Sequence, residues 1–125
     1  MYVLDSSVII ELLNDGPLAS KILDVLPIAP FVTTSISVQE VLEGTFSEKD
    51  RFVAEHVFSG AEILVHDEKA AREGALIQRQ LKQAGTKINR IDVFIAGVCK
   101  ANNAELITLD NDFSRIKGLK VKIIK

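Results

Sequence analysis

The chain has 125 residues, 47% of them hydrophobic, with a formal net charge of −2 and a single cysteine, Cys99. That is enough apolar material for one domain, 1–125, with its own core, and it excludes an intramolecular disulfide. No apolar run approaches the roughly 18 residues of a membrane span, and MYVLDSS lacks the basic region of a signal peptide, so a protein of the reducing cytoplasm is expected.

Tyr2-Val3-Leu4 is a short apolar strand candidate. Ser6 or Ser7 is placed to cap a helix from about Val8 to Leu13, which Asn14-Asp15-Gly16-Pro17 ends. Leu18 to Leu26 predicts a second helix, stopped by Pro27. Phe31-Val32-Thr33-Thr34 is rich in β-branched residues and predicts a strand. Ser35 or Ser37 then caps a helix through Val38, Val41 and Leu42, ending near Gly44. Ser47 opens another, with Phe52, Val53, His56 and Val57 as its apolar face. Ile63-Leu64-Val65 is a short strand. Asp67 begins a long helix to about Gln83, whose face is Ala70, Gly74, Ile77 and Leu81, with Ala71 and Ala75 beside it. Ile91 to Ala101 is apolar around most of its circumference and predicts the central buried helix. Glu105 to Leu109 and Leu119 to Ile124 are the last strands, with a helical turn near Phe113 to Ile116 between them. Short β-branched strands alternating with helices predict an α/β fold, a three-layer α/β/α sandwich on a parallel sheet of four or five strands.

Four carboxylates stand out on this frame. MYVL runs into Asp5 and ELITL runs into Asp110. Asp92 sits in IDVFIAGVC and Glu40 in SVQEVL. A carboxylate among apolar residues is costly unless it is paired or binds a metal. Ligands of open α/β sheets bind at the carboxyl ends of the strands, and Asp5 and Asp110 both follow strands. Glu40 lies one to two turns into the helix after the FVTT strand. Asp92 opens the helix that leads into the ELITL strand, so it starts at the same rim. All four can meet there, and a hard divalent cation would neutralise them. Singly, each has a plainer explanation: Asp5 as a helix cap, Asp110 as a turn residue, Glu40 as a surface residue. The joint pattern carries the argument. Neither His56, a core or rim residue of its helix, nor His66, in a solvated loop, belongs to a zinc pattern.

These motifs resemble the PIN domain, and the whole chain resembles VapC-type toxin ribonucleases. LDSSVIIELL is similar to the first family motif, TSISVQEVLEG to the second, and INRIDVFIAGVCKANNAELITLDNDFSRIKGLKV to the C-terminal half. The resemblance implies an endoribonuclease dependent on Mg²⁺ or Mn²⁺, with Asp5, Glu40, Asp92 and Asp110 as catalytic acids. It implies metal ligation by Asp5, Asp92 and Asp110, with Asp112 competing for the last place. Ser6 would hold a metal water or a carboxylate. Gly97 stands where relatives often carry Ala, which should loosen packing. A VapB-like antitoxin and a homodimer are the implied partners, with the small-residue helix from Asp67 to Gln83 and the early helices as candidate interfaces.

Arg90 beside Asp92 would either steer a substrate phosphate or pair with the acids. Residues 1–66 carry ten Asp/Glu against three Lys/Arg, and residues 67–125 seven against twelve, so the halves are −7 and +5. Arg115, Lys117, Lys120, Lys122 and Lys125 form a basic tail, either an RNA path or the guarded edge of a sheet. A non-catalytic PIN-like module binding RNA or protein, and a housekeeping RNA-processing nuclease, are the alternatives. A receiver domain fits poorly, because Asp5 has no adjacent acid. A haloacid-dehalogenase phosphatase would need an acid where Ser7 stands. No P-loop run is present.

Overall fold

The computed structural model describes residues 1–26 and 30–125. Pro27, the expected stop of the second helix, lies outside the described residues. The elements in chain order are β1 (Tyr2–Leu4), α1 (Ser6–Leu13), α2 (Ala19–Val25), β2 (Val32–Thr34), α3 (Ser35–Glu43), α4 (Glu48–Ser59), β3 (Glu62–Leu64), α5 (Glu68–Gln83), α6 (Arg90–Ala101), β4 (Glu105–Thr108), a 3-10 turn (Asn111–Arg115) and β5 (Val121–Ile123). The five strands form one sheet in the order β3-β2-β1-β4-β5, and every pairing is parallel. The expected α/β architecture is therefore present.

Successive strand residues point to opposite faces, and both faces are covered. Val3 and Leu106 turn into a core built with α5 and α6, around Ile77, Val93, Ala96 and Cys99. Leu4 and Ile107, their chain neighbours, turn the other way into a core with Val8, Ile22, Val41 and Phe58 from α1 to α4. This is why the strands lack a polar alternation. Among the described residues no helix is long and apolar enough to cross a membrane.

The long helix buries Ala70, Gly74, Ile77 and Leu81, the stripe expected from spacing. Ala70 and Gly74 pack within the chain, against α6. A Cβ at Gly97 would lie 2.6 Å from the Ala70 carbonyl oxygen and 3.0 Å from the Gly74 nitrogen. Gly97 therefore tightens this helix pair, and the expectation that it loosens packing is wrong. Two further expectations fail. The buried side of α4 is Ala54 and Phe58, while Phe52 and Val53 are exposed and so is His56. Period alone could not choose between the two adjacent stripes. Caps also shift: Thr34 caps α3 through the Ser37 amide, and α1 starts at Ser6 with Asp5 in the cap position. Ser47, Asp67 and Asn89 cap α4, α5 and α6 through their side chains.

Candidate active site

The strand order reverses between β1 and β4. From β1 the chain steps outward through β2 to β3, and from β4 it steps the other way to β5. Such a switch point opens a crevice at the carboxyl ends of the two strands. Asp5 follows one of them and Asp110 the other. The Asp5 amide donates to the Ile107 carbonyl at 3.0 Å, which extends the ladder and pins this backbone at the rim. Its carbonyl accepts from Val8 and Ile9 at 3.1 and 3.2 Å and starts α1. Its side chain makes no capping bond. Instead Oδ2 accepts from the Ser7 hydroxyl at 2.8 Å and from the Thr108 hydroxyl at 2.7 Å. Asp5 is only 4% exposed.

Thr108 and Ser7 also tie β1 to β4. The Thr108 hydroxyl accepts from the Asp110 amide at 3.0 Å, and the Ser7 hydroxyl accepts from the Leu109 amide at 3.1 Å. Ser6 donates to Glu40 Oε1 at 3.0 Å, so α1 orients a carboxylate that α3 brings to the same rim. Asp110 Oδ1 accepts from the Asp112 amide at 2.9 Å and caps the 3-10 turn. The turn is anchored by Phe113, which is fully buried and contributes about 2 kcal/mol of apolar burial. That anchor holds both Asp110 and Asp112 at the crevice. Asp92, Asp110 and Asp112 each offer a carboxylate oxygen within 4.8 Å of the others. So the two competing positions at the chain's C-terminal motif lie side by side.

Burial raises the proton affinity of Asp5, Glu40 and Asp92, and mutual repulsion adds to it. Desolvation, then Asp110, Asp5, Glu40 and Asp112 in that order, lift Asp92 from 3.8 to about 7. Asp5 is raised mainly by burial, opposed by the Thr108 and Ser7 hydroxyls. Glu40 is raised mainly by burial, opposed by Ser6. Asp92 feels all four other acids, so the five share one field. An all-oxygen, half-buried, like-charged set of this kind suits a hard divalent cation and suits thiophilic or imidazole-seeking metals poorly.

The sequence signature of the PIN domain matches residues 2–119. The chain belongs to the PIN domain family. Solved structures share its fold over nearly the whole length. VapBC-1 from nontypeable Haemophilus influenzae is 26% identical, with a TM-score of 0.81 over 98% of this chain and 96% of that one. VapBC-5 from Mycobacterium tuberculosis, a member of the VapBC family of toxin–antitoxin systems, is 26% identical with a TM-score of 0.72 over 98% and 96%. Mycobacterium tuberculosis VapC20, a toxin that cleaves the sarcin-ricin loop, has a TM-score of 0.73 over 98% and 99%, at 14% identity. No curated protein matches at the level of sequence.

Within this PIN domain the remaining expected site residues divide. Arg90 forms no ion pair among the described residues; its guanidinium lies 5.9 Å from the centroid of the Phe94 ring. The calming salt bridge to the acids is therefore not made. Arg115 is 3.8 Å from Asp112, in a half-exposed pair. Lys122 is exposed on β5, an edge strand of the sheet, as edge protection predicts. Sequence reasoning gave Thr108 no role and treated Ser7 only as a cap. The available signal was the TLD run: in extended chain Thr108 and Asp110 point the same way, so a hydroxyl was bound to stand behind the acid.

Proposed function

We propose that this PIN domain is a Mg²⁺- or Mn²⁺-dependent endoribonuclease, the toxin of a VapBC-type pair. The observation that carries the reading is the convergence of Asp5, Glu40, Asp92, Asp110 and Asp112 on one crevice. Asp92, Asp110 and Asp112 would hold the ion, with Asp5 behind them. When bound, such an ion supplies Lewis acidity at a phosphate and lowers the proton affinity of an attacking water. Ser6 occupies one oxygen of Glu40 and leaves Oε2 to orient that water and take its proton. A positioned base of this kind contributes on the order of 10²–10⁴-fold. Ser7 and Thr108 favour the ionised form of Asp5 against its burial and hold it fixed, so the crevice need not reorganise as negative charge builds on the phosphate.

An antitoxin resembling VapB is the proposed protein partner, a homodimer the proposed assembly and the cytoplasm the proposed location. Support for the first comes from an open cleft of about 250 Å³ between α1, α3 and α4. Ile10, Phe46 and Val53 line it and are exposed at 39%, 98% and 44%. Exposed apolar surface of this kind suits the apolar face of a partner helix. The catalytic reading is tested by incubating the purified protein with single-stranded and structured RNA in Mg²⁺, Mn²⁺ or EDTA, beside Asp5→Asn and Asp92→Asn. Cleavage should require metal and disappear in both variants. Wild-type protein that leaves every RNA intact, or variants that cut equally well, would refute it.

A further inference from the structure

A second cleft, of about 330 Å³, lies between α5 and α6, apart from the acids. Ala71, Ala75 and Arg79 line one wall and His66, Arg90 and Phe94 the other. The two alanines are exposed; being small, they leave room that longer side chains would fill. The Phe94 and His66 rings are 5.2 Å apart between centroids and inclined at 59°. Arg90 lies against the same Phe94 ring. No carboxylate lines the cleft, and neither Arg79 nor Arg90 forms an ion pair among the described residues. Two inclined aromatic rings and two guanidiniums without acidic partners line one cleft, and these are the groups a nucleotide uses: a ring on which a base stacks and donors for its phosphate.

We propose that this cleft holds one nucleotide of the RNA substrate, base on Phe94 and His66, phosphate between Arg79 and Arg90. The proposal rests on the ribonuclease reading above and gives it a substrate-positioning subsite. RNA is favoured over an acidic peptide because the cleft joins the half-buried Phe94 and exposed His66 rings to the cations, and because of where it lies. Arg90 and Phe94 flank Asp92 on the first turns of α6, so the cleft and the acids are separated by about one helix width, ~10 Å. A strand running over the N-terminus of α6 reaches both.

Binding is measured by fluorescence anisotropy of a labelled single-stranded RNA in EDTA, for the wild type, Phe94→Leu, Phe94→Tyr and Arg79→Gln, across a salt series. Loss of the stacking face should weaken binding about tenfold in Phe94→Leu, while Phe94→Tyr should retain it. Loss of one phosphate contact in Arg79→Gln should flatten the slope of log affinity against log salt by about 0.7. Thermal unfolding of each variant separates these effects from misfolding. Variants that bind with wild-type affinity and slope, while the wild type cleaves RNA, overturn the subsite and leave the nuclease standing. Variants that bind RNA normally but turn a dimer into a monomer, measured by light scattering, also overturn it and assign the cleft to a second copy of the chain. A wild type that neither binds nor cleaves RNA overturns both readings.

Discussion

Asp92→Asn should make the metal-free protein more stable while destroying its activity. The Asp92 carboxyl is lifted to about 7 by burial and by the surrounding acids, well above its value in an unfolded chain, about 3.9. Between about pH 4 and pH 7 the native state therefore holds a proton that the unfolded state has released. Native stability falls as pH rises through that window and stays low above it. The full shift, about three units at 1.36 kcal/mol each, would cost roughly 4 kcal/mol. Asp92 is only half-buried, and solvent screening cuts that to about 2 kcal/mol. An amide removes the charge and nearly keeps the shape. In EDTA at pH 8, Asp92→Asn should raise the melting temperature by about 5–10 °C. At pH 5, where native Asp92 already carries its proton, the gain should shrink below about 1 kcal/mol. Millimolar Mg²⁺ or Mn²⁺ should stabilise the wild type, by the linkage of binding to folding, and leave the variant almost unmoved. Circular dichroism melts at the two pH values, with and without metal, decide the matter. A variant less stable than wild type in EDTA at pH 8 would refute the electrostatic account of the crevice.

Ser6→Ala removes the donor that orients Glu40 and should lower the cleavage rate about tenfold with little change in KM, read in steady-state kinetics. Thr108→Val deprives Asp5 of a hydroxyl donor and the Asp110 amide of its acceptor. It should destabilise the fold by about 1–3 kcal/mol in urea unfolding and raise the metal concentration needed for half-maximal activity. Gly97→Ala should cost about 1–3 kcal/mol, because the added methyl meets backbone of α5 that no rotamer change can move; an unchanged denaturation midpoint would count against the close helix contact.

The acid positions were legible because β1 and β4 announce themselves as short apolar runs, each ending in Asp. Topology alone places Asp5, Asp92 and Asp110 on one rim. Glu40 was weaker, since a helical Glu resembles any surface residue until Ser6 is seen beneath it. What stayed hidden depends on side-chain partners far apart in sequence. Thr108 looks like strand filler until its hydroxyl meets Asp5, 103 residues away. Gly97 looks like a missing methyl until α5 is laid against it. The face of α4 was misjudged because two adjacent stripes were both apolar, and only the neighbouring helices choose between them. Arg90 reads from its place beside Asp92 as a partner of the acids, and its contact with the Phe94 ring, one turn along, emerges only in the fold.

The hydroxyl bridge between β1 and β4 also sets a timetable. Asp5 precedes its donor Thr108 by 103 residues, so the two are synthesised about 5–20 s apart at roughly 5–20 residues per second. Until then β1 has no β4 to pair with, and the turn that carries Asp110 and Asp112 does not exist. An unfinished chain therefore holds its acids apart. The crevice closes only once β4 and the turn after it have been made, so the gathering of acids belongs to the folded domain and never to a nascent fragment that stops short of Thr108.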